Sequence, residues 1–160
     1  MYPLRRDELY KDEYSRTTRR TLAQMNEYVI NFELIEALVE HLHSQLASDG
    51  AILVFLPGVG EIKTLLSRLE GSRDLGKHLI LPLHASLPSD EQKRVFERPL
   101  RGTRKVVLTT NIAETSITVD DVVAVVDSGK LKEVQYYPRS GMSSLEETFV
   151  SKASAKCVPV

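Results

Sequence analysis

The feature that most constrains the fold is a short segment in which one apolar residue follows another without interruption. Residues 51–56 read AILVFL, and Pro57 and Gly58 end the run. Continuous apolar runs of this length are typical of strands covered on both faces, as in parallel sheets, because half-exposed strands alternate. Three further apolar segments follow along the chain, at residues 78–83, 105–109 and 122–126.

The stretches around these strands have a different, helical periodicity. Apolar residues recur there every three or four positions, which is the pattern of a helix with one buried face. Helices are therefore predicted at residues 17–28, 32–46, 59–69 and 89–96, an edge strand or hairpin arm at 132–137, and a last helical segment near 144–155. Strands that alternate with helices predict an α/β fold with a doubly wound, mostly parallel sheet.

Composition and charge exclude several classes of protein. The net charge of −1 argues against a generic polyanion binder. The single cysteine, Cys157, can form neither an internal disulfide nor a zinc site of paired cysteines. No apolar run reaches the roughly 18 residues that a membrane helix requires, and the N-terminus lacks the pattern of a secretory signal. We expect an intracellular protein, with the cytoplasm favoured and the nucleus as the alternative, and with residues 1–16 as a flexible lead-in.

The residues that directly follow each apolar run are the first candidates for a functional site. Doubly wound sheets bind their ligands beyond the carboxyl ends of the strands. The residues at these positions are Pro57 and Gly58, His84 to Ser86, Thr110 and Asn111, and Asp127 to Gly129.

The segment TTNIAETSIT, residues 109–118, is the richest of these strand ends in polar side chains. Asn111 can cap a helix, and Glu114 follows three residues later, which is the capping-box spacing. A helix start offers free backbone N–H groups that suit a phosphate. A plain strand-to-helix turn with a good cap has the same pattern, so the residues alone leave both interpretations open.

The same segment resembles motif V of the DEAH/RHA-type (DExH-box) ATP-dependent RNA helicases. FLPG at residues 55–58 resembles motif IV of that family, and LHASL at 83–87 resembles the following motif IVa. VDSG at 126–129 and SKASA at 151–155 also stand where the family has them. Five motifs in the right order identify the chain, over roughly residues 30 to 156, as a member of this family. The resemblance implies a second RecA-like domain at residues 17–156, with a three-layer αβα architecture, and a tail at 157–160 that is foreign to the family.

The resemblance also implies two sets of binding residues. In the family, motif V touches the RNA backbone, which points to Thr110 and Asn111, and Ser86 is a further candidate for the same contact. Backbone contact of this kind is independent of base sequence. Single-stranded RNA is the implied partner.

The second implied set contacts ATP in a cleft between two RecA-like domains. Ser116 and Thr118 match positions that sense the phosphates, and Asp120 matches the acid that binds the ribose hydroxyls. Phe96 matches the aromatic residue that stacks on adenine. An aromatic residue on an amphipathic helix is also a common core residue, and this alternative interpretation of Phe96 stands beside the first.

Several other patterns have ordinary structural interpretations. Arg98, Arg101, Arg104 and Lys105 form a basic cluster that is predicted to be a solvated charged face. His84 fits either a ligand contact or a simple surface histidine. Tyr136 and Tyr137 fit either a stacking platform or an alternating edge strand. Gly58 and Gly60 begin a dinucleotide-binding pattern, but Lys63 replaces its third glycine.

The sequence lacks the phosphate-binding pattern G-x-x-x-x-G-K-[ST] and the DExH motif, and SKASA is not followed by the family's arginine-rich motif VI. The resemblance implies that a first RecA-like domain carries the former two and holds Mg²⁺. The expectation is half of an ATP-dependent helicase that unwinds or remodels RNA, with ATP and Mg²⁺ as cofactors and without ATPase activity by itself. The alternative is a truncated, catalytically inactive module that binds RNA or protein.

Overall fold

A four-stranded parallel sheet forms the centre of the computed structural model, which describes residues 14–46, 49–110, 119–138 and 141–151. Its strands are β1 (Ala51–Phe55), β2 (His78–Leu83), β3 (Arg104–Thr109) and β4 (Val122–Asp127), and their order across the sheet is β2-β3-β1-β4. Every neighbouring pair is parallel. The doubly wound, mostly parallel sheet predicted from the apolar runs is thereby confirmed.

Burial explains why these strands have few polar side chains. All six residues of β3 are buried, and four of the five in β1 are. Side chains alternate between the two faces of a strand, so such continuous burial requires cover on both faces. On one face, Phe55, Leu81 and Val107 form a cluster with Val95, which lies outside the sheet.

Most helices in the described part of the chain lie where the periodicity predicts them. They are α1 (Arg16–Gln24), α2 (Phe32–Gln45), α3 (Val59–Glu70) and α4 (Ser89–Lys93), the last of which continues as a 3-10 turn (Arg94–Phe96). The helix α3 buries Ile62, Leu65 and Leu69, which recur at the spacing of one helical face. Arg68 of α3 forms an ion pair of 2.8 Å with Glu36 of α2, which fastens the two helices to each other.

The chain divides into two compact units, residues 1–31 and residues 32–160. In the first unit, α1 begins after Ser15, whose hydroxyl accepts a hydrogen bond from the Thr18 backbone N–H. It ends four residues before the predicted limit of 28, because Met25 has extended backbone. Asn26 then accepts a hydrogen bond from the Tyr28 N–H, a local turn that competes with the helix.

The predicted helical segment near residues 144–155 is wrong over its described part. Residues there form β6 (Met142–Phe149), which pairs antiparallel with β5 (Lys130–Tyr137) as a separate two-stranded hairpin. The four-residue spacing of Leu145 and Phe149 imitates a helical stripe, but Leu145 pairs with Val134 across the hairpin. Long-range pairing of this kind outweighs weak local periodicity.

Candidate nucleic-acid and nucleotide interface

Three polar residues lie just beyond the carboxyl ends of three of the four strands, with Leu56 after β1 between the second and the third. His84, Thr110 and Ser128, hereafter the strand-end row, each stand one residue past the last ladder pair of β2, β3 and β4. Backbone hydrogen bonds continue the sheet into this row, with the Thr110 N–H donating to Leu83 O at 3.4 Å and the Ser128 N–H to Phe55 O at 3.1 Å. Neighbouring strands are roughly 5 Å apart, so the row spans roughly 15 Å.

Each residue of the strand-end row has a buried polar atom without a hydrogen-bond partner among the described residues. The atoms are His84 Nδ1, Thr110 Oγ1 and Ser128 Oγ. Buried polar groups are nearly always paired, because desolvation without a compensating hydrogen bond costs roughly 1–3 kcal/mol. Three such atoms at the same edge, on the ends of three of the four strands, therefore mark an edge that is suited to a hydrogen-bonding ligand.

Some of the residues predicted at this edge lie in the described part of the structure, and others do not. Thr110 lies in the strand-end row, and Ser86 is exposed two residues beyond His84. Asn111 lies outside the described residues, as do Ser116 and Thr118 of the nucleotide set. His84 is half-buried, and its Nδ1 is buried without a partner in the described part of the chain, so both interpretations of this residue stay open.

The sequence places Ser128 among the candidates after the apolar runs, within Asp127 to Gly129, but the resemblance assigns it to neither binding set. Its neighbour Asp127 accepts a hydrogen bond from the Gly129 N–H at 2.8 Å, which shapes the turn into β5. Gly129 has a φ of 72°, a conformation that glycine adopts without strain. This turn leaves the Ser128 hydroxyl at the sheet edge.

Phe96 and Asp120 lie toward the opposite end of the sheet from the strand-end row. Asp120 is exposed and precedes Asp121, whose carbonyl accepts a hydrogen bond of 2.7 Å from the Ala51 N–H at the start of β1. Phe96 ends the 3-10 turn with 52% of its surface exposed, whereas the adjacent Val95 is completely buried. The core residue of this turn is therefore Val95, and the alternative interpretation of Phe96 as a core residue is wrong.

The predicted solvated basic face is wrong for two of its four members. Arg104 is only 6% exposed and Lys105 is fully buried, whereas Arg98 and Arg101 are exposed. Backbone carbonyls explain the burial of Arg104, whose guanidinium donates to Gly50 O at 2.6 Å and Leu46 O at 2.8 Å. These carbonyls lie just after α2, where a cation also complements the helix dipole.

Arg104 also faces His43, to whose Nδ1 it donates a hydrogen bond of 3.4 Å. Burial of the imidazole, the Arg104 charge and the nearby His78 together lower the pKa of His43 below its ordinary value of 6.5. A neutral His43 is the form that accepts a hydrogen bond from the guanidinium.

Lys105 reaches from β3 to two different segments. Its ammonium donates to the carbonyls of Val95 at 2.8 Å and Glu97 at 3.2 Å, and it forms an ion pair of 2.7 Å with Asp121. A cavity of about 380 Å³ beside this cluster is lined in part by Arg98, Arg101 and Asp121.

A partly buried ion pair connects the hairpin to α3. Lys132 donates to both carboxylate oxygens of Glu61, at 2.9 and 3.0 Å. Partial burial acts to raise the pKa of Glu61, but the hydrogen bond from Lys132 and the charge of that lysine act against it, so the net pKa is lowered. Beyond this anchor, Tyr136 and Tyr137 are exposed, and both of their proposed interpretations stay open.

Neither a metal cluster nor a membrane span is found in the described ranges. They contain no group of three or more His, Cys, Asp or Glu side chains arranged to hold a metal ion. No helix in them combines the length and apolar character needed to cross a bilayer.

A parallel sheet that is flanked by helices and has polar residues along its carboxyl edge is a doubly wound α/β domain, and comparison with solved structures narrows it to a RecA-like helicase domain. Two crystal structures of the DEAH/RHA helicase HrpB of Escherichia coli match it with a TM-score of 0.71 each. They are 35% and 32% identical to this chain, and the matches cover 79% and 83% of it but 15% and 17% of those chains.

Residues 33–139 match the family described as the helicase conserved C-terminal domain. The human putative ATP-dependent RNA helicase DHX57 is 49% identical over 148 residues, which are 88% of this chain and 11% of that protein. The chloroplastic DExH-box ATP-dependent RNA helicase DExH4 of Arabidopsis thaliana is 46% identical over 151 residues, 92% of this chain and 11% of that protein. The chain belongs to the C-terminal RecA-like domains of DEAH/RHA-type helicases, and it spans about a tenth of the length of these relatives.

Proposed function

We propose that the chain is the RNA-gripping and nucleotide-contacting half of an ATP-dependent RNA helicase. The observation that carries the proposal is the strand-end row, in which three buried polar atoms lack partners among the described residues. A ligand that offers several hydrogen-bond acceptors along an extended chain satisfies such a row. Consecutive phosphates and ribose hydroxyls of an RNA strand have this chemistry.

The side chains of the row divide the contact between hydroxyls and an imidazole. Thr110 and Ser128 can donate their hydroxyl protons to phosphate oxygens, and His84 can donate from Nδ1 in the tautomer that carries the proton there. Ser86, exposed beside His84, and Asn111 extend the same edge in sequence. None of these groups distinguishes one base from another, so the grip is independent of RNA sequence.

The nucleotide contact is assigned to the other end of the sheet. An exposed Phe96 is available to stack on adenine, and an exposed Asp120 is available to accept hydrogen bonds from ribose hydroxyls. Ser116 and Thr118 are proposed to contact the phosphates. ATP supplies the free energy of phosphoryl transfer, and we propose that a first RecA-like domain holds its Mg²⁺ and completes the cleft.

The two contacts are joined by β3, which begins next to the nucleotide residues and ends at Thr109, directly before Thr110. Closing of the cleft around ATP would move this sheet as a unit, and the RNA held by the strand-end row would move with it. Alternate closing and opening would then shift the RNA relative to the first domain, which is how a helicase remodels RNA.

Fluorescence anisotropy of a labelled ten-nucleotide oligouridine tests the RNA contact. Thr110→Val removes one hydroxyl of the row, and we expect roughly a fivefold to tenfold loss of affinity at low salt, equivalent to about one hydrogen bond. The matched control is Thr64→Val, which removes an exposed hydroxyl whose hydrogen bond is to Gly60 O within α3. Equal affinity of Thr110→Val and the unmodified chain would refute the proposed RNA face, as would the absence of any binding by the unmodified chain.

A catalytically inactive binding module is the second candidate, and the hairpin favours it. Val134, Leu145 and Phe149 are each more than half exposed, which is an unusual number of large apolar side chains on two strands. Such a surface is suited to a protein partner. Because neither candidate hydrolyses ATP by itself, the test adds the first RecA-like domain of a relative in trans. RNA-stimulated ATP hydrolysis in that mixture would exclude the inactive module, whereas RNA binding without hydrolysis there would support it.

A further inference from the structure

The fully buried ammonium of Lys105 makes all of the hydrogen bonds available to it. A lysine ammonium has three N–H donors. Those of Lys105 face three acceptors, the carbonyl oxygens of Val95 at 2.8 Å and Glu97 at 3.2 Å and a carboxylate oxygen of Asp121 at 2.7 Å. Its side chain has no exposed surface. The Lys105 ammonium, with its three acceptors hereafter the junction, is thus fully hydrogen-bonded within the protein and is not a solvated charge.

The three acceptors belong to two segments that carry the nucleotide residues of the proposed function. Val95 and Glu97 are the residues on either side of Phe96, and Asp121 directly follows Asp120. Phe96 itself is half exposed and so receives little restraint from packing of its own side chain. Instead, the Lys105 ammonium holds the backbone of this turn at the carbonyls of Val95 and Glu97, the residues before and after Phe96.

A buried ammonium needs a reason, because an apolar side chain of similar volume would fill the same space without the desolvation cost of a charge. Methionine at this position could fill the same space in the core, but it could not join the turn of Phe96 to the loop of Asp120. The specific gain from lysine is therefore geometric, in that it sets the distance and direction between two loops from different parts of the chain.

We propose that Lys105 is a positioning residue that fixes the aromatic ring at Phe96 relative to the carboxylate at Asp120, so that base and ribose of one nucleotide can be contacted together. The inference rests on the proposed function for the identity of the ligand. The junction itself depends only on the contacts of Lys105.

Hydrogen–deuterium exchange of the full chain tests the junction without any ligand. Lys105→Met should accelerate amide exchange by roughly tenfold or more in both the segment around Phe96 and the loop at 119–121, while the amides of β1 stay protected. Lys93→Met is the matched control, since Lys93 lies on the neighbouring α4 in an exposed ion pair with Asp90. Unchanged exchange in either segment would overturn the proposal.

Titration with ADP, followed by NMR shifts at Phe96 and Asp120, tests the consequence for the ligand. We expect Lys105→Met to weaken ADP binding by roughly tenfold with unchanged RNA affinity, a split that general destabilisation would not produce. Asp121→Asn keeps an acceptor for the ammonium and should give a smaller loss. It also serves as the test if Lys105→Met does not fold. The inference would be overturned if both variants bound ADP with the same affinity as the unmodified chain. ADP-induced shifts elsewhere in the unmodified chain would instead refute the proposed nucleotide site, and the exchange experiment alone would then decide whether the junction exists.

Discussion

Arg104→Met is a substitution whose effect can be worked out from a few contacts. The guanidinium donates to two backbone carbonyls, Leu46 O at 2.8 Å and Gly50 O at 2.6 Å, and its side chain is nearly fully buried. Methionine has a similar length and no donors, so it fills much of the same space. The two carbonyls would lose their charged partner at the end of α2.

The magnitude follows from those two hydrogen bonds. A hydrogen bond that involves a charged group contributes about 1.5–3 kcal/mol, and a buried acceptor that loses its partner bears its own desolvation cost. Some of the loss is recovered, because the charge of Arg104 no longer has to be buried. We therefore expect the free energy of unfolding to fall by about 3–4 kcal/mol, a large share of the 5–15 kcal/mol typical of a domain.

Urea denaturation followed by circular dichroism measures this change. Arg101→Met is the control, because Arg101 is exposed and belongs to the same basic cluster, and its effect should stay within about 0.5 kcal/mol. A loss below 1 kcal/mol for Arg104→Met would refute the reasoning. It would mean that water or a rearranged loop satisfies the carbonyls as well as the guanidinium does.

Three further predictions concern the glycines, His43 and the turn at Phe96. Gly50→Ala should destabilise the fold by about 2–3 kcal/mol in urea titrations, because a Cβ there would lie 2.1 Å from a side-chain atom and 2.8 Å from a backbone oxygen. The control Gly60→Ala, in a helix with open space around it, should be neutral or stabilising by up to about 1 kcal/mol. Since the pKa of folded His43 is lowered from 6.5, the unfolded chain binds the proton first, and this contribution to stability is present above pH 6.5 and lost as the pH falls below it. His43→Gln should flatten that part of the profile in unfolding experiments at pH 7.5 to 5.5, and an unaltered slope would contradict the assignment. Phe96→Ala should leave thermal stability almost unchanged but weaken ADP binding, whereas Val95→Ala should cost about 2 kcal/mol of stability; the reverse ranking would show that Phe96 belongs to the core.

The parallel sheet was predictable because burial on both faces leaves a direct mark on composition. Residues 51–56 and 105–109 contain so many adjacent apolar side chains that a strand covered on both faces is one of the few structures that buries them. The hairpin was harder, since Leu145 and Phe149 have the spacing of a helical face and their partners lie on another strand. Periodicity within one segment contains no information about its pairing with another strand, and that pairing determines its conformation.

The candidate site was predictable to the extent that it follows from strand order. Thr110 could be placed at the carboxyl edge because it directly follows an apolar run, and the same rule placed Ser128 there within the candidates Asp127 to Gly129. The buried state of Lys105 and Arg104 had no such signal. Their acceptors are carbonyls, an imidazole nitrogen and a carboxylate 8 to 61 residues away, and only the folded chain shows that these groups converge.

The complete burial of β3 has a consequence for which changes of sequence the domain can tolerate. Side chains alternate along a strand, so inserting or deleting one residue between Lys105 and Thr110 would turn one of the two onto the opposite face. Exchange of one apolar residue for another within the strand keeps both orientations. We expect a library of variants to accept many substitutions between these two positions and almost no change of length, because the strand acts as a spacer whose residue count matters more than its individual side chains.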